Sequence, residues 1–168
     1  GGGANPLYYS YEAGPVHVLA LCSYMDSQPH SPMHTFVERD LKGVDRSRTP
    51  WVVVMMHAPW YTSNSNHPMA SAESTVPRDN LEPLLLAAGV DLVLSGHVHA
   101  YERTFPMARG ERVEACKGLI VHVTIGDGGN REGLALPWLE PQPEWSALRE
   151  ASYGFGVLEV QSATEAEG

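Results

Sequence analysis

The run Ser95-Gly96-His97-Val98-His99 follows directly on the apolar stretch Val90 to Leu94. Neutral imidazole is the commonest nitrogen ligand for zinc, iron or manganese. Two imidazoles separated by one residue on an extended segment project to the same side, and Gly96 lets another group come close to the backbone. A bare His-x-His fits two surface histidines in a turn at least as well. Its place after a buried strand tips the balance, because ligand sites in open α/β sheets gather at the carboxyl ends of strands. The preferred reading is a metal site.

A second segment has the same layout, since Trp51-Val52-Val53-Val54-Met55-Met56 is an apolar run of strand length and His57 ends it. Taken alone, His57 suits a satisfied core histidine, because a polar ring at the end of a buried strand must find a partner. Two neighbouring strands that each end in histidine at one edge of a sheet are better explained by one shared metal site, built from His57, His97 and His99. His67 follows in a polar loop, where by itself it is a solvated histidine. With a metal centre at the strand ends, that loop brings a titratable ring over the centre, as general acid or phosphate donor. Between Pro50 and Tyr101 the sole lysine or arginine is Arg78, against Glu73, Asp79, Glu82 and Asp91, so metal charge must supply the attraction for an anion.

The other histidines are less informative: His17 and His122 lie inside apolar runs and His30 and His34 flank a helix start. All four read as structural or surface residues. Gly126-Asp127-Gly128-Gly129-Asn130 lacks the lysine and spacing of a phosphate-cradling loop and reads as a tight turn. No Gly-x-Ser-x-Gly elbow, paired-cysteine zinc motif or dinucleotide fingerprint occurs, which removes serine hydrolases of that type and NAD enzymes.

The elements that must position these residues are legible from periodicity. The chain has 168 residues, 43% hydrophobic and 18% charged, the composition of one globular domain. Apolar runs at Val16 to Cys22, Trp51 to Met56, Val90 to Leu94, Leu119 to Ile125 and Phe155 to Val160 predict five strands. Met33, Phe36, Val37 and Leu41 predict a helix capped at Ser31-Pro32, and Leu81, Leu84, Leu85 and Ala88 a second one from Asp79 to the stop at Gly89. The alternation reads as α/β with partly parallel pairing. Long connections run from Ala58 to Val76, Ala100 to Lys117 and Gly126 to Ser152, and the tail 162–168 is expected to fray. A formal net charge of −9 disfavours nucleic acid and anionic membrane as partners. No membrane-length apolar run or signal peptide is visible. Two cysteines, Cys22 and Cys116, leave pairing and redox compartment open.

Several longer blocks are distinctive: Leu7-Tyr8-Tyr9-Ser10-Tyr11 with Gly14-Pro15-Val16-His17, Trp51 to Tyr61, Gly96-His97-Val98-His99-Ala100-Tyr101-Glu102-Arg103, Ile125 to Asn130, Pro143-Glu144-Trp145-Ser146, and Arg149 to Gly154. In this order they resemble the C-terminal half of the catalytic domain of the purple acid phosphatases. These are binuclear-metal phosphomonoesterases of the calcineurin-like metallophosphoesterase superfamily, and the likeness covers nearly the whole chain. It implies part of an αββα sandwich with mixed sheets and flanking helices, and hydrolysis of small-molecule phosphate monoesters. By the same resemblance, His57 and His97 bind a divalent metal (zinc, manganese or iron), His99 binds Fe(III), and His67 contacts substrate phosphate and protonates the leaving group. Asn66 stands where plant-type members often carry a second histidine, and is the other substrate-binding candidate.

The family's remaining ligands, two aspartates, a tyrosine and an asparagine, belong to Asp-x-Gly, Gly-Asp-x-x-Tyr and Gly-Asn-His motifs that find no counterpart in order in this chain. Gly126-Asp127-Gly128 comes too late to serve as the first. The expectation is one partial domain over 1–168, a fragment that supplies the histidine half of the site and is inactive alone. The resemblance also implies a secretory or vacuolar protein and allows a homodimer of the complete form. Alternatives are a non-catalytic binding module and a metallophosphodiesterase of the same superfamily.

Overall fold

β-branched side chains lose little freedom on a pleated surface, and the valine-rich runs accordingly become strands. The computed structural model describes residues 5–114, 119–161 and 166–167. In chain order the elements are β1 (Tyr9–Ala13), β2 (Val16–Ala20), α1 (Pro32–Lys42), β3 (Trp51–Met56), α2 (Ala72–Ala87), β4 (Leu92–Ser95), β5 (Tyr101–Thr104), β6 (Met107–Ala108), β7 (Glu111–Arg112), β8 (Val121–Ile125), β9 (Ser146–Glu150), β10 (Glu159–Val160) and β11 (Ala166–Glu167). One seven-stranded sheet runs in the order β1-β2-β3-β4-β8-β5-β9. Its centre, β2, β3, β4 and β8, is parallel. β1 is antiparallel to β2, and β5 is antiparallel to both β8 and β9. The mixed α/β architecture expected from the sequence is the one observed, and its parallel centre delivers the carboxyl ends of β3, β4 and β8 to one edge.

The helices pack on one face of this sheet. Met33, Val37 and Leu41 of α1 and Leu81 and Leu85 of α2 share a buried core with Leu19, Val52, Val54 and Val93 from the strands. On the opposite face Val16, Val18 and Val53 form a smaller cluster beside Trp51, Leu92 and Leu94. α1 starts as expected: Pro32 occupies the first turn and the Ser31 hydroxyl accepts from the His34 amide at 3.3 Å. Arg46 ties the helix layer to the sheet, donating to the Asp91 carboxylate at 3.0 Å and to the carbonyls of Pro50, Ala88 and Gly89. Asp91 in turn accepts from the Val52 amide at 2.8 Å.

Several expectations need correction. α2 begins at Ala72 rather than Asp79, running through Pro77 and Pro83. Its polar first half buries Ser74 and Pro77 in line with Leu81 and Leu85, a face at helical spacing that outweighs the breakers in composition. Of the run Phe155 to Val160, only Glu159–Val160 is strand, and it pairs with β11 rather than with the large sheet. Phe155 is 90% and Val157 70% exposed. β1, β5 and β9 went unmarked by periodicity: β1 and β9 are largely exposed, and β5 alternates with a glutamate and a threonine inward. Ala166–Glu167 of the tail is paired, whereas residues 162–165 and 168 lie outside the described residues, as does Cys116. Cys22 has no disulfide partner among the described residues.

His122, inside β8, is 4% exposed and lies edge-on to the Tyr61 ring at 4.7 Å. Its Nε2 has no hydrogen-bond partner among the described residues, and burial pushes the imidazole down to about 3. The folded state therefore refuses a proton that the unfolded chain accepts below its ordinary value of about 6.5. Stability should fall as pH drops from there toward 3, by up to about 1.4 kcal/mol per pH unit from this ring. Denaturant unfolding of wild type and His122→Phe across that range should show a flatter acid dependence in the variant.

Candidate metal centre

β3 and β4 remain paired beyond their strand ends, with the Gly96 amide donating to the His57 carbonyl at 3.0 Å. The chain then reverses sharply. His97 adopts φ of +62°, the left-handed region that non-glycine residues seldom enter. The Val98 amide donates back to Gly96 and the Ala100 amide to Val98, at 2.7 and 2.8 Å. His97 and His99 thus sit on a tight turn rather than the extended segment expected, yet both rings line the same cavity. Val98 and Ala100 between them are buried, and the turn rests on the end of β8. A Cβ built on Gly126 would lie 2.0 Å from the Val98 carbonyl oxygen, so glycine alone fits there.

The imidazoles converge on His97. His57 Nε2 lies 3.1 Å from His97 Nδ1, with the rings edge-on at 5.0 Å. His67 meets His97 from another side at 4.6 Å between ring centres. Asn66, His67, His97 and His99, with Glu132 and Gly133 to Ala135, line a cavity of about 250 Å³. All the residues singled out from the sequence are therefore at one rim. Two carboxylates also reach it that local sequence did not assign to the site. Glu73, in the first turn of α2, lies 3.3 Å from His97 Nε2, and Glu132 lies 3.9 Å from His99 Nδ1. Glu73 was hidden in what read as a polar loop; Glu132 follows the glycine-rich turn, whose Asn130 side chain accepts from the Glu132 amide at 2.7 Å. His17 and His34 lie elsewhere, His17 bonding Asp40 at 2.7 Å and His34 serving the α1 cap.

Electrostatics favour neutral rings. Burial first, then the neighbouring His97, holds His57 below the ordinary imidazole value. His67 is lowered by the same causes in the same order, with His99 adding to them. No lysine or arginine lines the cavity. A set of imidazole nitrogens with carboxylates nearby, in a lining without side-chain cations, suits zinc or iron. The rings contact one another in this geometry, and among the described residues no three His, Cys, Asp or Glu side chains are disposed around a common point for a metal ion. The donor chemistry fits such an ion; the observed rotamers would have to turn to enclose it.

Comparison with known proteins agrees with this chemistry. Residues 10–101 match the family described as calcineurin-like phosphoesterase, and residues 119–167 match that described as iron/zinc purple acid phosphatase-like protein C. The chain is 48% identical to purple acid phosphatase 18 of Arabidopsis thaliana over 98% of its own length and 36% of the relative's. It is 40% identical to a phosphoenolpyruvate phosphatase of Allium cepa, over 97% of this chain and 35% of that one. Among solved structures, a purple acid phosphatase from yellow lupin (Lupinus luteus) seeds superposes with a TM-score of 0.78 at 26% identity, covering 90% of this chain and 27% of that one. The chain spans little more than a third of the length of the curated relatives it matches.

The Gly126 contact yields a controlled test. Gly126→Ala should destabilise the protein by about 1–3 kcal/mol through overpacking and shift the imidazole resonances of His97 and His99. Gly128→Ala, at a site with nothing within 4 Å, should do neither. Unfolding curves and imidazole NMR spectra check both.

Proposed function

The chain belongs to the purple acid phosphatase family of calcineurin-like phosphoesterases, and from that premise we propose that it supplies the histidine half of a binuclear centre that hydrolyses phosphate monoesters. In this proposal His57 and His97 hold the divalent ion, zinc, manganese or iron, and His99 the ferric ion. His67 and Asn66 face the substrate phosphate. Such a centre, when bound, contributes Lewis-acid charge to the phosphate and acidity to a water molecule. The observation that carries the reading is the meeting of His57, His67 and His97 in ring contact at the carboxyl edge of a parallel sheet.

The chain's own residues have definable tasks. His57 and His97 would offer ring nitrogens to the ion, and burial lowers the pKa of His57 so that it stays a donor into mildly acid solution. His67 would hold a proton at acid pH and pass it to the oxygen of the departing alcohol. Asn66 donates one side-chain N–H to the Leu136 carbonyl, which orients its amide and leaves the second for a phosphate oxygen. With no cationic side chain in the cavity lining, discrimination in favour of a phosphate dianion rests on the metal charge.

The wider setting is also proposed. The family's acidic ligand motifs complete the centre in the whole protein, and these 168 residues act as one partial domain within it. Among the described residues no helix is long and apolar enough to cross a membrane. Family likeness supports a secreted or vacuolar protein and a homodimer.

The test uses a polypeptide in which this chain is continuous with the acidic motifs, loaded with iron and zinc. It should hydrolyse an aryl phosphate monoester and leave the matching diester largely untouched. His97→Ala should lower kcat at least about a thousandfold, in the range seen when a central catalytic group is removed, and reduce metal content. The 168-residue chain alone should stay at background. His97-dependent turnover by that chain alone, or a preference for diesters, would contradict the assignment.

A further inference from the structure

Glu102 lies on β5, just beyond the His97–His99 turn, and is 2% exposed. No arginine, lysine or histidine forms an ion pair with it among the described residues, a costly arrangement for a carboxylate unless hydrogen bonds replace its water. They do. One oxygen, Oε2, accepts from the Ser63 amide at 2.8 Å; the other, Oε1, accepts from the Ser63 and Ser146 hydroxyls at 2.6 and 2.7 Å. Two of these three bonds hold a single residue of the loop that leaves β3 and carries Asn66 and His67.

That residue anchors a ladder. The Leu139 amide donates to the Ser63 carbonyl at 2.7 Å and the Ser65 amide to Pro137 at 2.9 Å. The Asn64 side chain donates to the Ala135 carbonyl at 3.0 Å and accepts from the Asn66 amide at 3.0 Å. The Ala135 amide then donates to the His99 carbonyl at 3.0 Å. The loop bearing His67 is thereby fastened to the turn bearing His97 and His99 through one intermediate segment, and the buried carboxylate is where the loop meets the sheet. Thr62, Ser63 and Asn64 are buried, so these three residues have no solvent partners to fall back on.

We propose that Glu102 is a positioning residue that sets the His67 imidazole against the phosphate site by clamping Ser63. The carboxylate acts only as an acceptor and touches no substrate. A glutamine at this place keeps the shape: its carbonyl accepts from the Ser63 amide and its NH2 donates to the two hydroxyls, which rotate to receive it. An alanine frees the loop. This inference rests on the reading of His67 as the group that serves the leaving alcohol.

The experiment uses the complete metal-loaded protein with two monoesters, an aryl phosphate with a good leaving group and an alkyl phosphate with a poor one. His67→Ala should depress kcat on the alkyl ester more than on the aryl ester. Glu102→Ala should reproduce that selective loss, about tenfold to a hundredfold for a displaced catalytic group, with iron and zinc content unchanged. Glu102→Gln should recover most of it. In the His67→Ala background, Glu102→Ala should add little, because it acts through the ring already removed. A second readout, on the metal-free protein, is hydrogen exchange: amides 63–66 should exchange at least about tenfold faster in Glu102→Ala while α2 stays protected. If Glu102→Ala fails to fold, Ser63→Ala, which loses one of the three bonds, should show the same pattern in milder form. Equal losses on both esters, losses that multiply with His67→Ala, or unchanged exchange at 63–66 would overturn the inference. A silent His67→Ala would overturn the reading of His67 and this inference with it. A selective loss in His67→Ala beside an unaffected Glu102→Ala would overturn the inference alone.

Discussion

The backbone of the His97 turn lies directly against the backbone that leaves β8, with no room at Gly126 for a methyl group. That contact presses Val98 into the protein, forces the chain to reverse within a few residues and places His97 in the left-handed region. A histidine there is strained, and such strain persists only where surrounding packing over-determines it. The packing is visible: Val98 and Ala100 are buried, and the Gly96 amide is held by the His57 carbonyl. The seating fixes the ring that the others meet, since His57 and His67 both contact His97.

The electrostatic setting is consistent with that geometry. An acidic chain, of formal net charge −9, presents a cavity whose ionisable lining is histidine and glutamate. Burial and the neighbouring His97 depress the basicity of His57 and His67, which keeps His57 a lone-pair donor and lets His67 take up a proton only in more acid solution than a free imidazole. No lysine or arginine stands in the lining to attract an anion. The buried carboxylate of Glu102 is satisfied by two serine hydroxyls and an amide, with Arg149 donating to one of those hydroxyls, Ser63 Oγ, at 3.5 Å.

The sheet divides the molecule asymmetrically. Its helix-covered face encloses the larger core, while the other carries Trp51, Leu92, Leu94 and Val123 along an apolar groove of about 290 Å³ closed in part by Val157 and Leu158. The central parallel strands are therefore apolar on both faces, as strands of an α/β core are. This is also why their segments read as mostly apolar runs rather than strictly alternating ones.

Local pattern determined much of this protein. Apolar runs of strand length marked β2, β3, β4 and β8, the Ser31-Pro32 cap marked α1, and the histidines closing two of those strands marked the rim before any distance was known. Tertiary structure decided the rest. Edge strands β1 and β9 bury too little for periodicity to show them, and α2 extends through Pro77 because burial of one face outweighs the propensity of individual residues. The left-handed His97, the approach of Glu73 and Glu132, and the clamp from Glu102 to Ser63 depend on partners far apart in the chain, 39 residues in the last case. A hydrophobic period is written in neighbours and is legible locally, whereas a close backbone contact or a buried hydrogen bond exists only once distant segments are packed together.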